Sequence, residues 1–221
     1  MIIHESSIIS DDASIGEGVS IGPFCNLQKW ITIGDKTSIY GWVNAYGCRI
    51  GSNCKIGTFV EIQENVIIGN NCKIQSHSFL CEGVDIEDKV FIGHNVVFIN
   101  DIEPRAVGLD GKLKTRGNWD CLGVKVCHGA TIGSSAIVFP VRIGKWAMIG
   151  AGAVVTRDVP NFGLVYGNPA RLKGFVCKCG KILRMTSGEK RDRSNVFLKC
   201  GHCENLIPID NVSYDKLLER G

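Results

Sequence analysis

Aliphatic residues recur at every sixth position along most of the chain, and small or polar residues fill the places between. The series begins Ile3, Ile9, Ile15, Ile21, Leu27, Ile33, Ile39 and Ala45. It drops one position, resumes at Ile50 and runs through Ile56, Ile62, Ile68, Ile74, Leu80, Ile86 and Ile92 to Phe98. After a gap it returns as Val126, Ile132 and Val138, slips by one again, and closes with Ile143, Ile149 and Val155. A period of six fits neither a helix, at about 3.6, nor a continuous strand, at about 2. Short strands separated by turns do fit it, so the chain must coil. Four residues after each aliphatic position stands a second inward candidate, small or β-branched, such as Val19, Cys25, Val43, Cys54, Val60, Cys72, Val84, Val96, Ala136, Ala147 and Ala153. One large and one small interior side chain per face describe a narrow prism, with glycines easing its corners.

The repeated "[LIV]-G-x-x-x-x", as in "IGEGVS", "IGNNCK" and "IGAGAV", resembles the signature of the left-handed parallel β-helix proteins, most of them acyltransferases. The resemblance supplies the handedness. It also implies three hexapeptides per triangular coil, so that residues eighteen apart stack on one face. The expected fold is therefore all-β: a left-handed parallel β-helix over 1–160 and a connecting tail over 161–175. A small cysteine-bearing segment follows over 176–221.

Between Phe98 and Val126 the period vanishes, and "INDIEPRAVGLDGKLKTRGNWDCLGV" reads as a loop over 99–125 extruded from one coil, with Trp119 as a possible anchor. Loops this long inside compact domains are usually functional or disordered, and a solvated excursion with no role is the competing reading. Stacking by eighteens puts Glu64, Glu82 and Asn100 in one column and Phe59, His77 and Asn95 in another that points outward. Taken as neighbours, the two columns would gather His77, Glu82, Asn95, Asn100 and Asp101 beside the loop. An exposed histidine near carboxylates suits general-base work.

The stretches "KIQSHSFLCEGVDIEDKVFIGHNVVFINDIEPRA" and "GATIGSSAIVFPVRIGKWAMIGAGAVVTRDVPNFGLVYGNPARLKGF" resemble bacterial nucleotide-sugar N-acetyltransferases that acetylate a 3-amino group of a UDP- or dTDP-linked sugar for surface polysaccharides such as O-antigens. "FINDIEPR" and "GNPAR" are the more specific parts. The resemblance implies a homotrimer with sites between adjacent prisms, each using acetyl-CoA. In many uronate-type members an asparagine stands where this chain has His77. The catalytic candidates are His77, with Glu82 or Asp101 as the alternative. Glu64, Asn95, Asn100 and Arg105 are the candidates for the sugar nucleotide, the guanidinium of Arg105 being suited to a diphosphate or carboxylate. By resemblance Ser134, Ala151, Gly152 and Ala153 line a pantetheine slot, and Arg171 and Lys173 neutralise CoA phosphates.

Charge and cysteine content narrow the picture further. The net charge of +3 on 221 residues is small and forms no long run, which argues against a nucleic-acid partner. No apolar run approaches the roughly 20 residues of a membrane span, and "MIIHESSIISDD" lacks the pattern of a signal peptide, so a cytoplasmic protein without membrane insertion is expected. Of the 11 cysteines, Cys25, Cys48, Cys54 and Cys72 fall in the small interior column and read as core filler. The "CKCG" at Cys177 and Cys179 is answered by "CGHC" at Cys200 and Cys203, a spacing that fits a structural Zn2+ site of zinc-ribbon type. The ending "DNVSYDKLLERG" predicts a short final helix. Other acceptors of the same fold (serine, maltose, antibiotics) and a non-catalytic scaffold are the alternatives. A β-helical carbonic anhydrase would need three convergent histidines, for which His77 and His94 stand in different columns.

Overall fold

The computed structural model describes residues 1–115, 117, 120–185 and 189–219. Short strands, mostly of two residues, stack into three parallel sheets that form the three faces of a coil. The first face runs from Ile2–Ile3 through Lys55–Ile56, Lys73–Ile74 and Phe91–Ile92 to Met148–Ile149. The second contains Asn44–Tyr46, Glu61–Ile62, Phe79–Leu80 and Val97–Phe98. The third contains Arg49–Ile50, Ile67–Ile68, Val84–Ile86 and Val124–Val126. The register is eighteen in most coils, as in Lys55 opposite Lys73. It shortens to seventeen where the period drops a residue, Lys55 lying opposite Ser38 and Val126 opposite Ile143.

Both interior columns are where the period put them. From Ile21 to Val155 every aliphatic position of the series is buried, and so is each small residue named with it. The first coil is looser, Ile3 being 38% exposed and Ile9 and Ile15 half-buried. Cys25, Cys48, Cys54 and Cys72 are buried and unbridged, and Cys81 and Cys127 join them. Burial pushes the thiols of Cys48 and Cys81 up to about 12, so they act as small hydrophobes.

Corners of the coil use the left-handed backbone region. Phe24, Trp42, Phe59, His77, Asn95 and Ser135 all have φ between 55° and 62° or close to it, at 64° for His77. Left-handed backbone costs an L-residue about 1–2 kcal/mol. Each corner offsets this by donating its N–H across coils, for example His77 to the Thr58 carbonyl at 3.0 Å and Asn95 to that of Ser76 at 3.1 Å.

The loop leaves the second face after Phe98 and the coil resumes at Val124, so the loop ends two residues short of the expected bound. Leu122 N–H donates to the Asn100 carbonyl at 3.0 Å and closes its neck. Inside it, Val107 and Leu113 pair as a small antiparallel bridge. Trp119 lies outside the described residues.

Beyond the last coil, Gly163–Tyr166 extends the first face in parallel, and Arg171–Phe175 turns back along it. Residues 161–175 are thus part of the sheet. A three-stranded antiparallel sheet of Lys190–Arg191, Asn195–Lys199 and Leu206–Asp210 follows. The final helix, Asn211–Leu218, starts at Asp210, whose carboxylate accepts from Ser213 N–H at 2.8 Å. This segment packs Val196, Leu198, Ile207 and Ile209 against Phe162 and Phe175 and against the half-buried Trp146 of the prism. No described helix is long and apolar enough to cross a membrane.

Candidate functional site

His77 closes a ladder of rings on the corner between the first and second faces. Phe24 stacks on Trp42 with ring centroids 4.4 Å apart, Trp42 on Phe59 at 6.0 Å, and Phe59 meets the His77 imidazole at 4.9 Å and 35°. All four side chains are exposed, so His77 is not a core histidine. The hexapeptide spacing alone puts these rings one above another. The neighbouring Ser78 is buried and donates to the Gly93 carbonyl at 2.9 Å, which fixes the turn beneath His77.

Continuing along the same corner, Asn95 follows His77, and then the side chains shrink to Ser135 and Gly152. Ser134 Oγ accepts from His94 N–H at 3.2 Å. Ala151 and Gly152 are exposed. At Gly152, with φ at +69°, an added Cβ would meet nothing within 4 Å, whereas at Gly133 it would lie 2.5 Å from Ala151 N. The coils therefore pack tightly just behind an open edge, where a thin chain can approach backbone. Ala153 does not take part through its side chain. It is fully buried, because it belongs to the small interior column, which leaves only its backbone for the slot.

Glu64, Glu82 and Asn100 do form one column, but on the next corner, between the second and third faces. Glu82 Oε1 accepts from Asn65 Nδ2 at 2.8 Å, Glu82 N–H donates to Gln63 Oε1 at 3.1 Å, and Asn100 Nδ2 donates to the Glu82 carbonyl at 3.0 Å. The Cys121 thiol at the end of the loop reaches the same carbonyl at 3.4 Å. Asp101 Oδ1 accepts from Glu103 N–H at 2.9 Å, and the Arg105 guanidinium donates to the adjacent Pro104 carbonyl at 2.9 Å while remaining exposed. The two columns are therefore not neighbours. A strand of the second face separates them, with the partly exposed Phe79 and Val97 between, since a corner-to-corner step needs a whole face of chain. Within one chain, His77 and Asn95 come together and Glu82, Asn100 and Asp101 come together, but the two groups do not meet.

Arg171 is half-buried with one guanidinium N–H on the Ala170 carbonyl at 2.9 Å, and Lys173 Nζ lies 5.9 Å from the Tyr166 ring centroid. Both follow the turn at Gly167 that ends the small-residue edge.

The four cysteines of the C-terminal segment converge. Their sulfurs all lie within 4.8 Å of one another, with Cys177 to Cys203 at 3.4 Å and Cys179 to Cys200 at 3.7 Å. Ligands on a tetrahedral site with bonds of about 2.3 Å stand about 3.8 Å apart, so the donor set fits a metal ion. The N–H groups of Cys203 and His202 hold the Cys200 thiol down to about 6, as a thiolate ligand requires. Burial pushes Cys177 up to about 12, a penalty that a bound cation would reverse. His202 is exposed and outside this group.

The repeat is shared with characterised families. Residues 47–82 match the bacterial transferase hexapeptide (six repeats), and residues 123–157 match the hexapeptide repeat of succinyl-transferase. The chain is a hexapeptide-repeat protein. It is 48% identical over 65 residues to dTDP-3-amino-3,6-dideoxy-alpha-D-galactopyranose 3-N-acetyltransferase of Aneurinibacillus thermoaerophilus, a match covering 29% of this chain and 34% of that one. It is 33% identical over 175 residues to the bifunctional protein GlmU of Thermotoga maritima, covering 78% of this chain and 30% of the relative. The chain thus spans about a third of the length of these relatives. Among solved structures, the UDP-N-acetylglucosamine acyltransferase from Campylobacter jejuni superimposes with a TM-score of 0.59 at 15% identity, covering 78% of this chain and 74% of that one. At that identity the likeness is one of fold.

Proposed function

We propose that this hexapeptide-repeat protein is an acetyl-CoA-dependent acyltransferase that acetylates the 3-amino group of a UDP- or dTDP-linked amino sugar. The observation that carries the reading is the single corner on which His77 and Asn95 lead directly into the open edge at Ser134, Ala151 and Gly152. One stretch of surface then offers polar side chains for an amine and a shallow track for a thioester arm. The match to a dTDP-3-amino-sugar acetyltransferase supports the acceptor class.

In this scheme the neutral amine attacks the thioester carbonyl. A C–N bond forms, the C–S bond breaks, and CoA leaves as its thiol after taking up the proton lost by nitrogen. His77 orients the amine and accepts that proton, or hands the role to the departing thiolate. Asn95 holds the sugar. Glu82 and Asn100 stand on another corner, and Asp101 and Arg105 on the loop that leaves it, so they would reach the same substrate from a second copy of the chain, which supports a homotrimer with sites between prisms. The exposed loop residues Ile102, Leu109 and Leu113 offer apolar surface for that contact. Arg171 and Lys173 would meet the CoA phosphates. In the C-terminal segment, Zn2+ held by Cys177, Cys179, Cys200 and Cys203 supplies structural cross-linking.

Incubating the purified protein with acetyl-CoA and a panel of 3-amino and 4-amino nucleotide sugars tests the reading. Acetylation of a 3-amino nucleotide sugar, reduced about 10- to 100-fold by His77→Ala, is expected. Turnover only of a simple alcohol or a free amino sugar would move the protein to another acceptor class. Absence of any acetyl-CoA turnover would leave a scaffold.

A further inference from the structure

The first face carries an unusual pair on its outer surface beside this corner. Lys55 and Lys73 are direct partners in parallel register, on strands about 4.8 Å apart. Both are exposed, and among the described residues neither forms an ion pair; the next outward position toward the N-terminus is Ser38 and the next toward the C-terminus is Phe91. Like charges set opposite each other in a sheet repel. Elsewhere in the chain the same problem is solved by pairing, as where Lys125 reaches Asp85 at 2.7 Å and Glu87 at 3.3 Å.

The two lysines border a cleft of about 280 Å³ that also takes in Tyr40, Thr58, Gln75 and Ser76. Its floor is closely packed backbone, since a Cβ on Gly57 would lie 2.5 Å from Ser76 N. The rim therefore holds two cations, three hydroxyls and one carboxamide, a donor set for the oxygens of a dianion. Tyr40 is 48% exposed and offers a ring to a base. Thr58 and Ser76 immediately precede Phe59 and His77. A ligand whose phosphates sit in this cleft thus places its next group at the His77 corner.

We propose that this cleft binds the diphosphate of the acceptor nucleotide, with Lys55 and Lys73 as its counter-ions. The inference rests on the nucleotide-sugar reading and assigns to these lysines the ionic contact that the sequence suggested for Arg105. A diphosphate is also present in CoA. The position of the cleft favours the acceptor: it lies on the His77 coil and the two coils before it, whereas the edge suited to pantetheine lies beyond Asn95 in the opposite direction.

The test compares the intact protein with its Lys55→Gln/Lys73→Gln double variant, using calorimetry with UDP, dTDP, inorganic pyrophosphate and CoA, and steady-state kinetics. Wild-type protein should bind UDP or dTDP, and the double variant should bind it at least about ten-fold more weakly. The KM of the nucleotide sugar should rise by a similar factor, while the acetyl-CoA KM and thermal stability hold. Unaltered UDP and dTDP binding in the double variant, or no binding of any diphosphate by the wild type, overturns the proposal. A loss confined to CoA would assign the cleft to the donor and overturn it as well. Because pyrophosphate and UDP binding are read without turnover, a protein that acetylates some other amine would refute the acceptor reading while this site is still judged on its own.

Discussion

The prism and the cysteine segment solve the same problem in opposite ways. The prism repeats one solution: each coil adds one large and one small interior side chain per face, and each coil touches only its neighbours. The segment after Phe175 has a second small core built around four sulfurs, and that core borrows Phe162 and Trp146 from the prism. Redundancy makes the first tolerant. A metal held by these four sulfurs would make the second all-or-none.

Removing metal should break the comparison most sharply. Structural zinc contributes about 10 kcal/mol or more to small metallodomains. Chelation, or Cys179→Ser, should expose the chain beyond Phe175 to limited proteolysis while the prism keeps its β-sheet circular dichroism. In the same experiment an alkylating agent should modify Cys121 before chelation and the four C-terminal cysteines after it. Cys25, Cys48, Cys54, Cys72 and Cys81 should stay unmodified throughout; labelling of these would contradict the inert core.

A single core deletion comes next. Phe98 is fully buried at the last coil before the loop, and Phe98→Ala should cost about 3–5 kcal/mol. Denaturant titration should place that loss in the prism, with the cysteine segment's protection from hydrogen exchange nearly unchanged. Equal losses in both regions would mean the two cores unfold as one.

Smaller still is the buried hydroxyl of Thr37, which donates to the Gly51 carbonyl at 2.7 Å and accepts from Cys54 N–H at 3.0 Å. Thr37→Val leaves both groups unsatisfied and should cost about 1–3 kcal/mol, read as a lower denaturation midpoint. The core cysteine Cys54 should then become easier to alkylate.

The least effect is expected at Glu87. The His128 N–H, at 2.8 Å, with help from Lys125, holds its carboxyl below the ordinary 4.5 in the folded chain. The folded state therefore binds this proton less readily than the unfolded one, so the contribution is complete at neutral pH and fades as pH falls below 4.5. Because the group is partly solvated, Glu87→Gln should lower stability by less than about 1 kcal/mol at pH 7. The difference should vanish in acid, and a deficit that persisted there would point to packing instead of charge.

Much of the prism was legible because a period of six is a covalent fact that translates directly into coils. Cys25 and Cys54 could be assigned to the interior from spacing alone, and the final helix from Asp210. The site was legible only in pieces. Spacing put Glu82 under Asn100 and His77 under Asn95, yet it gave no width for the face between them, so two separate corners read as one cluster. The hairpin within the loop was hidden by a polar, glycine-rich composition that also describes open coil. The pairing of Lys55 with Lys73 was present in the number eighteen, but only a cleft beside them makes it a site.

By itself the sequence determined which residues point inward, how the coils stack, where the regular pattern is interrupted and which four sulfurs converge. Those follow from local spacing, because stacking of short strands repeats a fixed chain length. The tertiary structure alone decided which columns share a corner, which glycine edge is open, and that the C-terminal segment shares a core with the last coil. These depend on distances across the chain that no periodicity encodes.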